Sequence, residues 1–536
     1  MDIHFETEPK TIYGSRTVRC FSKHPATVWE MFETAARRFP DRPAIVSGDR
    51  RISFSGLHSL ATRVASGLAA RGLRRGDRVA LLLDNTSEFV VSLLACLRAG
   101  HIVVPMNPRQ SSRETGHIMT HSEAALLICE AGCQDKLPQG WGGAGAAPVI
   151  WVGGDPQGAD SFETMLDTAP AAGDFAAGEA EDCVCLLYTS GTTGQPKGAM
   201  LTNLGIVHSL MSYQGVYGLS EQDVAISAVP ASHATGLIAL ILCMATCGGC
   251  CVLVRAFKAR PFLELAERER MTYTLMVPAM YNLCLLEPDV AGFDLSAWRV
   301  AGYGGAPIAP STVERLHELI PNVQLSNVYG ATETTSPSTM VRLGAFEQAS
   351  ATVGTPVPCA DIQVVGEGGE SADPGETGEL MIAGPMVIPG YWQNEEANAA
   401  SFDADGRWRS GDLGFVDADG ALHIVDRRKD IINRGGYKIY CIEVEAILAR
   451  HDAVQEAALV SRPDDVMGEK AWAFVHTGGA HLDEGDLVAF CRKHLSSYKL
   501  PDRIVFCETP LPRNPNGKIV KKDLSARFGD PAPSTS

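Results

Sequence analysis

Two hydrophobic patterns alternate along the first half of the chain, and this alternation limits the possible folds most strongly. The segments FSGLHSLATRVASGLAARG (54–72) and EFVVSLLACLRAG (88–100) have helical spacing, and the first ends at a glycine. The segments RVALLLD (78–84) and HIVVPMN (101–107) are short apolar runs typical of buried strands. Strands that alternate with helices predict a mostly parallel sheet covered by helices, and hence an α/β fold.

The character of the sequence changes after Gly354. Residues 354–428 place many Gly, Pro and Asp turns between short strands, which predicts a β-rich subdomain. Beyond Asp430 helical patterns alternate with strand patterns such as EAALVSRPD (456–464). We predict a large N-terminal domain over residues 1–428 and a small α+β domain over residues 429–536.

One uncharged stretch, GLIALILCMATCGGCCVLV (236–254), approaches the length of a membrane span. The Gly248-Gly249 pair divides it into a helix-sized piece and a strand-sized piece. We therefore expect a buried helix, a turn and a strand, and no integral membrane association.

Bulk properties narrow the function classes. The net charge of −17 disfavours broad binding to nucleic acids or anionic membranes, so a polyanionic ligand needs a local basic cluster. The 15 cysteines follow no repeating spacing, and the run of Cys247, Cys250 and Cys251 has apolar neighbours, which favours buried, reduced thiols over a metal site. No signal peptide is recognised in MDIHFETEPK, and we predict a cytoplasmic enzyme.

The stretch YTSGTTGQPKG (188–198) combines glycines, hydroxyl residues and a lysine. Backbone N–H groups of such a loop can converge on phosphate oxygens, while Lys197 supplies a positive charge. It is not the usual P-loop, whose lysine directly follows the second glycine and precedes Ser or Thr. A flexible surface turn of the same composition is the structural alternative.

Four further motifs follow in order: YGATE (329–333), RSGDLG (409–414), DRRKD (426–430) and PNGK (515–518). A glutamate after an apolar strand could hold Mg²⁺ beside a triphosphate, although it could also be merely solvated. An aspartate in a turn could accept hydrogen bonds from ribose hydroxyls.

Together these five motifs resemble those of the adenylate-forming superfamily, which includes acyl-CoA synthetases, peptide-synthetase adenylation domains and firefly-type luciferases. The resemblance spans roughly residues 25–525. It implies that ATP activates a carboxylic acid to an acyl-AMP and pyrophosphate, and that a thiol such as that of CoA then displaces AMP. It also implies that the small C-terminal domain is mobile.

The resemblance assigns roles residue by residue. Glu333 would bind Mg²⁺, Thr332 would contact the α-phosphate, and Lys518 would contact the acyl carboxylate and the α-phosphate. Lys429 would be the hinge, while Gly435, Gly436 and Lys438 would lie on the CoA side. ATP or AMP would be bound by Thr189, Ser190, Gly191, Thr192, Thr193, Gly194, Lys197, Gly304, Gly305, Ala306, Tyr329, Gly330, Asp412 and Arg427.

The acyl pocket is expected around PASHATGL (230–237), where His233 would contact the acyl carboxylate. A histidine used only for packing is the alternative. We also place Ala234, Gly236 and Tyr303 in this pocket. The residues around His233 are all small, which favours a roomy pocket and a bulky or branched acid, and no carboxylate here suits a substrate ammonium group.

The leading hypothesis is an AMP-forming acyl-CoA ligase that uses ATP, Mg²⁺ and CoA. The alternatives are an enzyme that loads an acyl group onto a carrier protein, a luciferase-like oxygenase, and a non-catalytic acyl-nucleotide binding protein. The chain could act as a monomer or a homodimer, with a small carboxylic acid and CoA as its partners and no nucleic acid.

Overall fold

The structure is a computed structural model that describes residues 5–138, 141, 148–154, 161–167, 175–176, 178–190, 195–366, 368–464, 466–514 and 519–527. The strands, numbered in chain order, are β1 Thr7–Ile12, β2 Arg16–Phe21, β3 Pro43–Ser47, β4 Arg50–Ser53, β5 Arg78–Leu82, β6 Ile102–Met106, β7 Ala124–Glu130, β8 Val149–Val152, β9 Cys183–Ser190, β10 Pro196–Thr202, β11 Val224–Ser227, β12 Cys250–Leu253, β13 Tyr273–Met276, β14 Val300–Gly304, β15 Gln324–Tyr329, β16 Thr339–Met340, β17 Thr355–Pro356, β18 Asp361–Val365, β19 Gly378–Ala383, β20 Trp408–Val416, β21 Leu422–Arg427, β22 Ile432–Arg434, β23 Tyr437–Ile439, β24 Glu456–Asp464, β25 Gly468–His476 and β26 Arg503–Cys507.

The α-helices are α1 Val28–Arg38, α2 Phe54–Ala70, α3 Ser87–Ala99, α4 Ser112–His121, α5 Phe162–Leu166, α6 Asn203–Tyr217, α7 Cys243–Cys247, α8 Ala259–Arg268, α9 Pro278–Leu285, α10 Pro310–Leu319, α11 Phe346–Ala349, α12 Glu395–Ser401, α13 Cys441–Leu448, α14 Glu484–Arg492 and α15 Lys521–Arg527. A π-helical stretch spans Thr235–Leu242, and short 3-10 helices span Ala131–Lys136, Val290–Gly292, Thr332–Thr334 and Ser497–Lys499.

Two large sheets with parallel centres form the N-terminal part, as the alternating pattern predicts. The first has the order β10-β9-β6-β5-β7-β8, and the second has the order β17-β16-β15-β14-β13-β11-β12-β3-β4. Antiparallel pairing is confined to strands near their edges, such as β10 with β9 and β15 with β16. Because parallel strands need crossover connections, helices cover the faces of both sheets and confirm the α/β class.

Local signals in the sequence set the ends of the covering helices. Helix α3 begins after Thr86, whose side chain accepts a hydrogen bond from Phe89 N, and ends at Gly100 in the left-handed conformation. Helix α6 has the same arrangement, with Thr202 at its start and Gly218 at its end. Both helices bury most of their length in the main hydrophobic core.

The uncharged stretch after Gly236 is buried, as predicted. It forms the π-helical stretch, α7, a turn at Gly248 and strand β12. Residues Leu237 to Ala245 are at most 1% exposed and pack against α6 and β13 in the main core. Within the described part of the chain, no helix has both the length and the apolar character needed to cross a membrane.

Two smaller sheets complete the chain. Strands β18 to β21 form an antiparallel sheet, which matches the predicted β-rich region. In the last hundred residues β23, β22, β25 and β24 pair in that order, and β26 joins β25 in parallel. Helices α13 and α14 pack on this last sheet around a hydrophobic core of their own.

A buried carboxylate joins three strands at the edge of the nine-stranded sheet where they begin. Asp223, which precedes β11, accepts hydrogen bonds from the Thr272 hydroxyl at 2.7 Å and from Arg299 Nε at 2.9 Å. Thr272 and Arg299 precede β13 and β14, so this carboxylate fixes the starts of three neighbouring strands. Asp223 is only 3% exposed.

Replacing Asp223 with alanine should lower the free energy of unfolding by about 3 kcal/mol, because it leaves the Arg299 guanidinium without its partly buried partner. Urea denaturation followed by circular dichroism measures this change. The control is Asp289→Ala, which removes the exposed ion pair between Asp289 and Arg260 and should lower the free energy of unfolding far less, because solvent screens such a pair. Equal effects of the two substitutions would contradict the role given to Asp223.

Candidate functional site

The predicted site residues follow the ends of several parallel strands. Strand β14 ends at Gly304 and β15 ends at Tyr329 in the nine-stranded sheet, while β9 ends at Ser190 in the six-stranded sheet. In open α/β sheets, ligands bind outside the carboxyl ends of the strands. The topology therefore places the first motifs at the edges where this class of fold binds its ligands.

The predicted phosphate loop joins β9 to β10. Its stem is antiparallel, with Thr189 opposite Lys197 and Tyr188 opposite Gly198. Gly198 has little room for a side chain, because a Cβ there would lie 3.1 Å from the Tyr188 ring. The predicted residues Gly191, Thr192, Thr193 and Gly194 lie outside the described residues.

Tyr391 connects the stem of this loop to Glu333. The Lys197 ammonium lies 5.2 Å from the centre of the Tyr391 ring, a cation–π distance. The Tyr391 hydroxyl donates a hydrogen bond of 2.9 Å to Glu333 Oε1. Burial and the nearby Glu333 charge raise the pKa of Tyr391, so this hydroxyl keeps its proton and remains a donor.

Backbone contacts support the same arrangement. Tyr391 pairs with Ala199 on β10, and Trp392 N donates to Gly198 O at 2.8 Å. Ile388 N donates to Glu333 O at 3.0 Å. Glu333 and its neighbour Thr332 form a short 3-10 helix directly after β15 and Gly330. Three segments far apart in sequence therefore meet around the Glu333 carboxylate.

A second carboxylate, Asp412, joins Tyr329 to Arg427. The Tyr329 hydroxyl donates to Asp412 Oδ2 at 2.7 Å, and Arg427 Nε lies 3.1 Å from Asp412 Oδ1. Asp412 and Arg427 face each other across β20 and β21. Burial, followed by the Asp412 charge, raises the pKa of Tyr329 well above its usual value. The structure thus brings together three residues that the resemblance assigns to the nucleoside.

Glycines leave the backbone accessible near Tyr329. Gly305 has φ +78°, a left-handed conformation that favours glycine, and a Cβ at Gly304 would collide with Val328 O. Ala306 is exposed beside them. At Gly330 a Cβ would lie 3.3 Å from Ser338 N. A Cβ at Gly305 would come no closer than 3.9 Å to Val277, which leaves room for a ligand beside the main chain after β14.

The loop that carries His233 folds back on itself. His233 N donates to Pro230 O at 3.1 Å, and Leu237 N donates to His233 O at 2.8 Å. A Cβ at Gly236 would collide with Pro230 O, so this turn requires glycine. Ala234 is buried in the main core, while His233 is half-buried.

Tyr303, which we predict to line the acyl pocket, lies on the face of β14 that packs in a second core, and its role in the pocket stays a prediction. A Cβ at Gly302 would lie 3.3 Å from the Tyr217 hydroxyl on α6, so that face of β14 looks towards the main core and the His233 loop. Successive side chains of a strand point to opposite faces. Tyr303 therefore packs on the other face with Met276, fully buried in a second core.

The small domain carries the remaining predicted residues. Lys429 is exposed after β21, and Gly435 and Gly436 form the left-handed turn between β22 and β23, with φ +58° and +90°. Gly436 N donates to Asn433 Oδ1 at 3.1 Å. Lys438 is exposed on β23.

A hydrogen bond crosses the predicted hinge at Lys429, and further contacts hold the segments on either side of it. Asp426, which precedes it and is 1% exposed, accepts a hydrogen bond from Cys441 N at the start of α13. The Cys441 thiol donates to Asp430 O at 2.8 Å. Arg428 lies 3.0 Å from Glu379 on β19.

The predicted catalytic lysine, Lys518, lies outside the described residues. The segments on either side of it are attached to the small domain. Arg513 pairs with Glu456 at 2.7 Å, and Lys521 pairs with Glu445 at 2.7 Å. Val520 N donates to Pro512 O at 2.8 Å, which brings these segments together.

Our sequence prediction missed Tyr391. It lies in PGYWQN, outside the five motifs, where an aromatic residue indicates nothing beyond ordinary packing. Only the pairing of this segment with β10 reveals its contacts with Lys197 and Glu333. Across the described segments, no group of three or more His, Cys, Asp or Glu side chains is arranged to hold a metal ion.

Comparison with known proteins identifies the family. The sequence pattern described as AMP-binding enzyme matches residues 32–392, and that described as AMP-binding enzyme C-terminal domain matches residues 443–518. The chain belongs to the AMP-binding enzyme family. The resemblance to adenylate-forming enzymes inferred from the five motifs is thereby confirmed.

Similar proteins match this AMP-binding enzyme over nearly its whole length. It is 34% identical over 542 residues to the 4-coumarate-CoA ligase 1 of Narcissus pseudonarcissus, with 98% of each chain covered. It is 34% identical over 495 residues to the feruloyl-CoA synthase of an Amycolatopsis species, with 92% of this chain and 97% of the relative covered. The structure of Bacillus subtilis O-succinylbenzoate coenzyme A synthetase in complex with ATP and magnesium ion matches with a TM-score of 0.81 at 28% identity, covering 94% of this chain and 100% of that chain.

Removing the Tyr391 hydroxyl by Tyr391→Phe should lower kcat/KM for ATP about tenfold, because the charged Glu333 carboxylate loses the hydrogen bond that it accepts from this hydroxyl. The aromatic ring remains under Lys197, so the thermal midpoint should change little. Pyrophosphate release at varied ATP and Mg²⁺ concentrations measures the effect. A variant as active as the wild type would show that Tyr391 does not help to place Glu333.

Proposed function

We propose that this AMP-binding enzyme is an AMP-forming acid–thiol ligase that converts a carboxylic acid into an acyl-CoA. The observation that carries the proposal is the pair of partly buried tyrosine–carboxylate contacts, Tyr391–Glu333 and Tyr329–Asp412, beside Lys197 and Arg427. We assign Tyr391–Glu333 to the triphosphate side of the nucleotide and Tyr329–Asp412 to the ribose side. Displacement at phosphorus depends on charge stabilisation and positioning, and this site offers both without a protein nucleophile.

In the first half-reaction, the acid carboxylate attacks the α-phosphorus of ATP, and pyrophosphate leaves. The loop after Thr189, together with Lys197, holds the β- and γ-phosphates. Thr332 contacts the α-phosphate, and Lys518 bridges it to the attacking carboxylate. Asp412 accepts hydrogen bonds from the ribose hydroxyls.

The residues around Glu333 fit a magnesium ion. A carboxylate oxygen is the ligand type that Mg²⁺ prefers, and this ion usually combines one or two carboxylates with phosphate oxygens. When bound, Mg²⁺ would neutralise charge on the departing pyrophosphate. Tyr391 would keep one oxygen of Glu333 fixed by its hydrogen bond and so orient the other.

In the second half-reaction, the CoA thiol attacks the acyl carbon, and AMP leaves. We place the domain boundary after Arg428, with residues 1–428 and 429–536 as the two domains and Lys429 as the hinge. Rotation there would separate Asp426 from Cys441 N, because the two residues lie on opposite sides of the hinge. The turn at Gly435 and Gly436 would then face the pantetheine chain, and Lys438 would face the CoA phosphates.

We also propose a cytoplasmic location. All 15 cysteines are free thiols, which is typical of proteins in a reducing compartment. Burial raises the pKa of many of them, for example that of Cys20 to about 11, so they remain protonated and unreactive.

A screen of carboxylic acids for pyrophosphate release tests the function. The panel contains 4-coumarate, ferulate, anthranilate, o-succinylbenzoate and oxalate, each with and without CoA. We expect release with at least one of the aromatic acids, since small residues surround His233, and faster turnover when CoA is present. Release that CoA does not accelerate would favour a carrier-protein acceptor, and no release with any acid would contradict the proposal.

The two half-reactions should respond differently to Lys518→Ala. Adenylation should slow about a hundredfold, because one contact to the transition state is lost. Thioester formation from supplied acyl-AMP should be spared, because this lysine does not contact the thiol. The matched control is Lys522→Ala, four residues further along, which should leave both rates unchanged. Equal slowing of both half-reactions by Lys518→Ala would contradict its assignment.

A further inference from the structure

One buried amide, Asn85, lies between the two large sheets. It follows β5 of the six-stranded sheet by three residues and is only 3% exposed. The strands nearest to it in the other sheet, β11 and β12, end at Ser227 and Leu253. Asn85 thus lies where the carboxyl ends of both sheets meet, close to the loop that carries His233.

The side chain of Asn85 uses both its donor and its acceptor. Nδ2 donates to Val229 O at 2.9 Å and Val254 O at 3.0 Å, and a longer contact of 3.3 Å reaches Ser227 O. Oδ1 accepts from Ala231 N at 2.7 Å. A buried amide that meets four main-chain groups fixes their relative positions, because each group left without a partner would lose free energy.

Residues 229–231 are also confined on the side away from Asn85. Gly236 lies so close that a Cβ would collide with Pro230 O and would lie 3.0 Å from Val229 O. Pro230 O also accepts the hydrogen bond from His233 N. Residues 229–231 are therefore held between the Asn85 amide and the Gly236 backbone, and His233 follows two residues after the anchored Ala231.

We propose that Asn85 is a positioning residue for acid binding: its amide holds loop 229–236 so that His233 meets the substrate carboxylate. This inference rests on the proposed function, since it takes that loop as the acyl site. The hydrogen bonds of Asn85 described above reach Ser227, Val229, Val254 and Ala231, and not Lys197, Glu333 or Asp412. Its loss should therefore affect the acid far more than the nucleotide.

The substitution Asn85→Asp tests this with a side chain of almost the same shape. The carboxylate can still accept from Ala231 N, but it cannot donate to the three carbonyl oxygens. We expect kcat/KM for the best acid of the five-acid panel to fall about ten- to a hundredfold, the loss expected for one or two hydrogen bonds. Binding of a non-hydrolysable ATP analogue, measured by calorimetry, should change less than about twofold.

A matched control separates positioning from stability. Asn203 is also 3% exposed, and its amide accepts from Val28 N at 3.1 Å and donates to Glu179 O at 3.0 Å. Asn203→Asp should lower the thermal midpoint but leave kcat/KM for the acid unchanged. If Asn85→Asp does not fold, Asn85→Ser, which keeps a small hydroxyl donor, replaces it in the same comparison.

Hydrogen exchange gives a readout that does not need turnover. Peptides covering residues 224–242 should exchange faster in Asn85→Asp than in the wild type and in Asn203→Asp. Faster exchange with unchanged acid kinetics would overturn the positioning role, and so would equal losses for acid and ATP analogue. If the wild type releases no pyrophosphate with any acid, the proposed function fails. Unchanged exchange in Asn85→Asp would separately show that Asn85 does not hold loop 229–236.

Discussion

The site depends on one hydrogen bond, the one that Tyr391 donates to Glu333. It links the segment that pairs with the stem of the phosphate loop to the carboxylate that follows β15, alongside the backbone bond from Ile388 N to Glu333 O. The tyrosine can do this because its ring lies beside Lys197 while its hydroxyl reaches the acid. Burial keeps that hydroxyl protonated, so it remains a donor beside a negative charge.

A second tyrosine–carboxylate hydrogen bond lies on the predicted nucleoside side of the site. Tyr329 donates to Asp412, and the raised pKa of the tyrosine again keeps the donor intact. Each contact joins a strand end or loop of the large sheets to a segment that comes much later in the chain. Lys197 and Arg427 lie beside these contacts, so a protein with a net charge of −17 still presents local positive charge to an anionic nucleotide.

Local patterns predicted most of the fold. Helix α2 was expected over 54–72 and spans Phe54–Ala70, and β24 covers the predicted residues 456–464. Hydrophobic period and capping residues act within a few positions, so they can be read from the sequence. The motif order likewise predicted the family, and the structure brings Tyr329, Asp412 and Arg427 together as that resemblance implied.

Contacts that depend on tertiary structure could not be predicted in this way. The side chain of Tyr303 lies in the second hydrophobic core, and only the alternation of side chains along β14 shows this. Tyr391 and Asn85 act through partners more than a hundred residues away, such as Lys197 and Ala231. No spacing in the sequence encodes such pairs, since the packing of the two sheets creates them.

An isotope label directly follows the bond that forms when the acid carboxylate attacks the α-phosphorus of ATP. The enzyme is incubated with ATP, Mg²⁺, CoA and an accepted acid carrying ¹⁸O in its carboxylate, and the products are analysed by mass spectrometry. Attack at the α-phosphorus leaves one ¹⁸O atom in AMP and none in pyrophosphate, and this is the result we expect. Label in orthophosphate or ADP, or AMP without label, would contradict it.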